Sequence, residues 1–274
     1  MLRFSNAKIN LGLHITEKRP DGFHNIETVF YPVNWSDVIE ITSAEAFDFK
    51  TYGIDIPGDP NDNLCLKAMD ILLQEHPISP VHVHLLKNIP IGAGLGGGSS
   101  NASFILTMLN ELFELNLGVN KLKEYADLLG SDCAFFIENK PQFASGRGNH
   151  LQDIDLDLSG YQVALVYPNL HINTAWAYSQ ITPQQPEISL AEIIIKHPIK
   201  DWKNTLHNDF QAPIAKTHPI LTELTELCYK HNAIYSAMSG SGSTVFGIFE
   251  PHVDLTDLRT IFQGKKYLYK TDKF

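Results

Sequence analysis

The chain has 274 residues, of which 43% are hydrophobic and 19% charged, a composition that suits a folded globular protein with a sizeable core. Its formal net charge is −10 and it contains no basic run, so a nucleic-acid-binding surface is not expected. No apolar stretch approaches the ~20 residues that a membrane span requires. The three cysteines stand singly, which argues against a disulfide framework or a zinc site, and no signal-like segment opens the chain. We therefore predict a cytoplasmic protein, monomeric or homodimeric, without nucleic-acid or membrane partners.

The first half of the chain is predicted to begin with strands and to continue with helices. Asp21-Gly22 is a strong hairpin-turn signal between the first two strands. The strands are predicted over residues 7–16, 25–33, 38–42 and 81–85. A helix is expected to begin after the capping segment Asn61-Asp62-Asn63 and to end before Pro77. Two further helices follow a glycine-rich loop, and the second of them covers residues 120–129 and ends at Gly130.

The second half has the order β-α-β-β-α-β, with extra helices after its first strand, which is typical of a ferredoxin-like domain. Its strands are predicted over residues 161–167, 233–238, 244–249 and 266–270, and its clearest helices over 219–231 and 255–262. A polar, acidic segment covers residues 153–160. We therefore predict two domains, residues 1–155 and 156–274.

The glycine-rich loop is the most informative segment. Five of the seven residues from Gly92 to Gly98 are glycine, so few side chains obstruct the approach of a ligand to the backbone N–H groups. The loop leads directly into a helix, whose N-terminus favours anions. Such a loop can wrap around phosphate oxygens. Its residues are Pro90, Ile91, Gly92, Ala93, Gly94, Leu95, Gly96, Gly97, Gly98, Ser99 and Ser100.

Other nucleotide-binding loops fit this segment less well. Gly92, Gly94 and Gly97 satisfy G-x-G-x-x-G, but the helix is followed by another helix and not by the strand of a dinucleotide fold. A Walker loop would carry lysine where Gly98 stands, and the further signatures of a protein kinase are absent. A glycine-rich turn without a ligand is the remaining alternative.

Three segments together resemble the motifs of the GHMP kinases, in order along the chain. They are Ala7-Lys8-Ile9-Asn10-Leu11, the Pro-x-x-x-Gly-Leu-Gly-x-x-Ser-Ser pattern that starts at Pro90, and Met238-Ser239-Gly240-Ser241-Gly242-Ser243. The resemblance implies an α+β fold with an N-terminal ribosomal protein S5 domain 2-like α/β domain and a C-terminal ferredoxin-like domain. It also implies that ATP, with Mg²⁺, phosphorylates the hydroxyl of a small molecule.

Further segments are similar to the branch of this superfamily that phosphorylates a cytidine diphosphate polyol on the methylerythritol phosphate route to isoprenoid precursors. They are Arg19-Pro20-Asp21-Gly22-Phe23-His24, Pro60-Asn61-Asp62-Asn63-Leu64 and Gly130-Ser131-Asp132. The chain departs from that branch in two places. Phe23 replaces a usual tyrosine, and Cys133-Ala134 replaces a usual Val-Pro after the aspartate.

The resemblance implies a role for each matching residue. Lys8 and Asp132 correspond to the catalytic pair, and the loop of residues 90–100 to the contacts with the ATP phosphates. Lys87, Asn61 and Asn63 correspond to contacts with the nucleoside of ATP. The cytidine substrate would be held by Asn10, Phe23, His24 and Tyr178, while the magnesium ligands stay open. Without the resemblance, Asp132 is an ordinary turn or N-cap aspartate and Lys8 a solvated lysine.

Several other functions remain alternatives at this point. Another GHMP kinase, acting on a mevalonate derivative, homoserine or a sugar, shares the glycine motifs but not the Asp21-Gly22-Phe23-His24 segment. A non-catalytic GHMP-fold ligand sensor would not need both Lys8 and Asp132. A dinucleotide-dependent oxidoreductase is the most distant alternative.

Overall fold

The computed structural model describes the whole chain, Met1–Phe274. The strands are β1 (Leu2–Lys18), β2 (His24–Ser43), β3 (Asp48–Gly53), β4 (Val81–Lys87), β5 (Gln142–Ser145), β6 (His150–Asp153), β7 (Gln162–Tyr167), β8 (Ala233–Met238), β9 (Val245–Phe249) and β10 (Leu268–Lys273). The helices are α1 (Leu64–Glu75), α2 (Gly97–Leu112), α3 (Val119–Leu129), α4 (Cys133–Glu138), α5 (Thr174–Ser179), α6 (Leu190–Lys196), α7 (Trp202–Thr205), α8 (Gln211–Thr217), α9 (Ile220–Lys230) and α10 (Thr256–Gly264). None of these helices combines the length and hydrophobicity needed to cross a bilayer.

The chain packs into two compact units, and each is assembled from separate stretches of sequence. The first unit comprises Met1–Ala7, Trp35–Ile91 and Gly96–Lys140. The second unit comprises Lys8–Asn34, Gly92–Leu95 and Pro141–Phe274. Strands β1 and β2 are long enough to contribute residues to both units. The division of the chain after residue 155 stays a prediction about its domains.

The first unit places helices beside a small sheet. The C-terminal part of β2 pairs antiparallel with β4, and β3 pairs parallel with β4. Helix α2 contacts α1, α3 and α4, and its apolar face of Ala102, Ile105, Leu106 and Leu109 is buried, as the sequence pattern predicts. The sequence analysis missed β3 because this strand is largely exposed and lacks apolar alternation.

The second unit contains the predicted β-α-β-β-α-β arrangement. Its antiparallel sheet has the strand order β10-β7-β9-β8. Leu221, Leu224 and Cys228 of α9 and Leu258 and Phe262 of α10 join its hydrophobic core, which confirms the predicted apolar face of α9. In the same unit the N-terminal part of β2 pairs with β5, and β5 pairs with β6.

One correction concerns the early strands. Residues 25–33 and 38–42 belong to the single long strand β2, and not to two strands. Ser36 and Asp37 interrupt the apolar pattern between them. Asp37 lies fully buried within the strand, where backbone N–H groups and side chains satisfy its carboxylate. The strand β2 therefore continues through Asp37, where the sequence pattern predicted a break, because buried hydrogen-bond donors satisfy the carboxylate.

Candidate active site

The glycine loop uses backbone conformations that favour glycine before it enters α2. Gly92, Gly94 and Gly96 have φ of 62°, 79° and 69°, in the left-handed region where a Cβ is disfavoured. Gly96 is the N-cap of α2, and its carbonyl oxygen accepts a hydrogen bond of 2.8 Å from the Ser100 N–H. The N–H groups of Gly97, Gly98 and Ser99 in the first turn therefore have no acceptor within the helix. This is the arrangement that binds anions at helix N-termini.

Ser100 gives a second sign of a ligand at this end of α2. Its side chain is fully buried, and its Oγ makes no hydrogen bond in the structure. A buried hydroxyl without a partner costs free energy. A phosphate oxygen is a suitable acceptor for it, because the neighbouring N–H groups of the first turn favour the same negative charge.

Lys87 lies beneath the start of α2 in a buried polar network. Its Nζ forms an ion pair with Asp37 and donates a 2.9 Å hydrogen bond to Asn101 Oδ1. Asn101 Nδ2 in turn donates to Asp37 Oδ2 at 2.9 Å. A Cβ added to Gly97 would lie 3.4 Å from Lys87 Nζ, so this ammonium group is directly behind the loop. The sequence analysis missed Asp37 and Asn101, although a lone aspartate within an apolar strand pattern was a usable signal.

Asp132 occupies the N-cap position of α4, yet its side chain makes no capping hydrogen bond. Its carboxylate therefore does not serve the turn that the sequence alone would assign to it. The next residue is held by α2, because Ser103 Oγ lies 2.7 Å from the Cys133 carbonyl oxygen and 3.0 Å from that of Ser99. Burial raises the pKa of Cys133 to about 12, so its thiol stays protonated at neutral pH. No sequence motif pointed to Ser103 as a functional residue.

The two asparagines assigned to the ATP nucleoside lie before α1 in the first unit. Asn63 is the N-cap of this helix, and its Oδ1 accepts a 2.9 Å hydrogen bond from the Cys65 N–H. Asn61 is exposed in the 3-10 helix Pro60–Asp62. The predicted helix start is confirmed, and the contact with a nucleoside stays a prediction for both residues.

In the second unit, hydrogen bonds join residues from all three segments that resemble the GHMP kinase motifs. Lys8 Nζ donates to Asn10 Oδ1 at 2.6 Å and lies 3.4 Å from the Gly94 carbonyl oxygen. Ser239 Oγ donates to the same carbonyl at 2.8 Å and accepts from the Asn10 N–H at 3.2 Å. Asn10 Nδ2 also donates to Thr28 Oγ1 at 3.0 Å. Lys8 is only 3% exposed, so it is not a solvated strand lysine.

The close approach within this network requires glycine at position 94. A Cβ on Gly94 would lie 2.1 Å from the Ser239 carbonyl oxygen, far inside van der Waals contact. Gly94 also has a positive φ. The tight backbone contact between the second and third motifs thus explains why a glycine stands at position 94.

Aromatic side chains gather around the Asp21-Gly22 turn of the same unit. The His24 ring stacks on the Tyr178 ring with centroids 4.6 Å apart and an interplanar angle of 17°. Burial, together with the positive charge of Lys18, lowers the pKa of His24 below its usual value. Phe23 is 50% exposed, and the Arg147 guanidinium lies over its ring. The structure therefore brings His24 and Tyr178 together as one aromatic pair, and it adds Arg147, which sequence reasoning missed.

Comparison with known proteins agrees with this geometry. A sequence model described as the GHMP kinases N terminal domain matches residues 63–140, and one described as GHMP kinases C terminal matches residues 190–266. A relative from Bacteroides fragilis named 4-diphosphocytidyl-2-C-methyl-D-erythritol kinase is 51% identical over 94% of this chain and 95% of its own. A relative of the same name from Cytophaga hutchinsonii is 47% identical over 91% of this chain and 92% of its own.

Solved structures support the same assignment. A crystal structure of 4-(cytidine 5'-diphospho)-2C-methyl-D-erythritol kinase has a TM-score of 0.80 and 26% identity, covering 99% of this chain and 98% of its own. The Methanococcus jannaschii mevalonate kinase has a TM-score of 0.68 at 14% identity, covering 100% of this chain and 98% of its own, which shows a shared fold. The chain therefore belongs to the GHMP kinases, which are ATP-dependent phosphotransferases, in the group formed by its 4-diphosphocytidyl-2-C-methyl-D-erythritol kinase relatives.

Proposed function

We propose that the protein transfers the γ-phosphoryl group of ATP to the 2-hydroxyl of 4-diphosphocytidyl-2-C-methyl-D-erythritol, a step in the synthesis of isoprenoid precursors. The observation that carries the proposal is the buried network of Lys8, Asn10, Gly94 and Ser239. It joins the family's three motifs around the buried ammonium group of Lys8, a charge that a purely structural role would not require. The relatives of this name cover almost the whole chain and supply the substrate.

In this reaction the protein mainly positions the reactants and stabilises charge. The 2-hydroxyl oxygen bonds to the γ-phosphorus as the bond from that phosphorus to the bridging oxygen of ADP breaks. We assign Asp132 as the general base that accepts the hydroxyl proton. Lys8 is assigned to stabilise negative charge at the reacting oxygen, since its buried ammonium group is held in place by two oxygen acceptors.

The N–H groups of Gly97, Gly98 and Ser99 and the hydroxyl of Ser100 are assigned to the ATP phosphates. Mg²⁺ would supply further charge neutralisation on these phosphates. The structure contains no cluster of three or more His, Cys, Asp or Glu side chains that could hold a metal ion. The hydroxyl of Ser99 or Ser100, together with ATP oxygens and water, could hold the ion beside the phosphates.

The remaining assignments concern the two nucleosides and the compartment. We assign Lys87, Asn61 and Asn63 to the nucleoside of ATP, and Phe23, His24 and Tyr178 to the cytosine base. Stacking on an aromatic ring is worth about 1–3 kcal/mol per base. The cytoplasm is the proposed location, since all three cysteines are free thiols, the state that a reducing compartment maintains.

The experiment is a substrate panel with purified protein and Mg-ATP. The acceptors are 4-diphosphocytidyl-2-C-methyl-D-erythritol, its uridine analogue, mevalonate and homoserine, and ADP release and the phosphorylated product are both measured. We expect turnover of the cytidine compound alone. Turnover of mevalonate or homoserine with none of the cytidine compound would replace this function by another GHMP kinase activity. Ligand binding with no turnover of any acceptor would favour a sensor.

A further inference from the structure

Arg147 stands apart from the other arginines of the chain. It lies on the turn between β5 and β6, and its Cζ is 3.8 Å from the centroid of the Phe23 ring. The chain has four arginines. Arg3 pairs with Glu111, Arg19 pairs with Asp21, and Arg259 donates to Thr271. Arg147 alone makes no hydrogen bond with its guanidinium group.

The position of this guanidinium over the Phe23 ring leaves its N–H groups available to an anion. A guanidinium is attracted to the face of an aromatic ring, and its five N–H donors can meet a pair of oxygen atoms. The turn that carries Arg147 is fixed to β2, because the Gly146 carbonyl oxygen accepts a 2.7 Å hydrogen bond from the Ile26 N–H. Arg147 and Phe23 therefore form a supported pair on the same unit.

The charge of Arg147 lies close enough to one carboxylate, that of Asp21, to contribute to lowering its pKa. Asp21 is the neighbouring carboxylate, but its oxygens already accept hydrogen bonds from the Arg19 guanidinium and from the Phe23 N–H. The Arg19 hydrogen bond, aided by the Phe23 N–H, lowers the pKa of Asp21. Lys18 is a second cation whose charge reaches this region, at His24. In a chain of net charge −10, this positive region beside an exposed aromatic ring suits a phosphorylated ligand with a stacking group.

We propose that Arg147 binds the diphosphate of the cytidine substrate, while Phe23 holds the guanidinium on one ring face and offers the other to the base. This inference rests on the proposed function and adds a residue to it. The chemical class that Arg147 recognises is a nucleoside diphosphate ester, and a nucleoside without phosphate lacks the group it contacts. Arg147 is thus a specificity-determining residue for the diphosphate part of the substrate.

The test compares two ligands and two variants by calorimetric titration. CDP and cytidine are titrated into wild type, Arg147→Met and Arg259→Met. Methionine keeps an unbranched apolar side chain over Phe23, and Arg259→Met removes the same charge from a position outside the pair. Loss of a charge-assisted hydrogen bond should weaken CDP binding of Arg147→Met by about tenfold to a hundredfold, with cytidine affinity changed less than about twofold. Arg259→Met should leave both affinities unchanged.

Equal losses for CDP and cytidine in Arg147→Met would overturn the diphosphate contact and reduce Arg147 to a support for Phe23. Unchanged CDP affinity would remove Arg147 from the site altogether. Raising the salt concentration gives a second readout, because the advantage of CDP over cytidine should shrink in wild type and stay small in Arg147→Met. Failure of the proposed function would look different, since wild type itself would then turn over none of the cytidine substrate.

Discussion

Gly98 lies at the second position of α2, where the fold does not require glycine. Its φ is not positive, it is exposed, and a Cβ added to it would meet no atom within 4 Å. Alanine in a helix is more stable than glycine by about 0.5–1 kcal/mol. Gly98→Ala should therefore stabilise the protein and raise its Tm by about 1–4 °C. If glycine is present for the ligand, the same methyl group should obstruct a phosphate that binds the first-turn N–H groups.

The expected cost to ATP binding is the loss of at least one charge-assisted hydrogen bond, about tenfold to a hundredfold in Kd. Stability is measured by thermal unfolding and affinity by titration with a non-hydrolysable ATP analogue. The matched control is Gly264→Ala, since Gly264 is also helical, exposed and free of neighbours within 4 Å. It should gain stability with unchanged ATP affinity. Gly98→Ala that gains stability and keeps full ATP affinity would refute the placement of phosphate at this helix N-terminus.

Three further changes test other parts of the site. Asp132→Asn should keep ATP affinity and lower kcat by about 10²–10⁴-fold, because the amide cannot accept the hydroxyl proton; a kcat within about threefold of wild type would make Asp132 structural. Ser103→Ala should lower the free energy of unfolding by about 1 kcal/mol and lower kcat, because the carbonyl of Cys133, next to Asp132, loses its hydrogen-bond donor. Thr107→Ala on the same helix is the control and should leave kcat unchanged; equal kcat values in the two variants would contradict the reasoning. The lowered pKa of His24 means that the unfolded chain takes up this proton first, so stability should fall as the pH drops below about 6.5. Thermal unfolding should show that stability falls less with decreasing pH in His24→Gln than in wild type. An identical pH dependence in the two proteins would reject the lowered pKa of His24 as its cause.

Features that depend on local chemistry could be predicted from the sequence. The glycine loop before a helix predicts an anion site, because a backbone without Cβ atoms followed by free N–H groups needs no distant residue to form it. The apolar faces of α2 and α9 follow from residues three and four apart. The ferredoxin-like order follows from the succession of strands and helices, and the structure confirms it.

Contacts between residues far apart along the chain could not be predicted from the sequence. Asn10 and Ser239 are separated by 229 residues along the chain, yet the Asn10 N–H donates to the Ser239 hydroxyl. No local pattern predicts such a contact, because the two residues meet only when the fold brings their segments together. The pairing of Arg147 with Phe23 could not be predicted for the same reason. An arginine in a turn is expected to be solvated, and only the pairing of β2 with β5 places it over the aromatic ring.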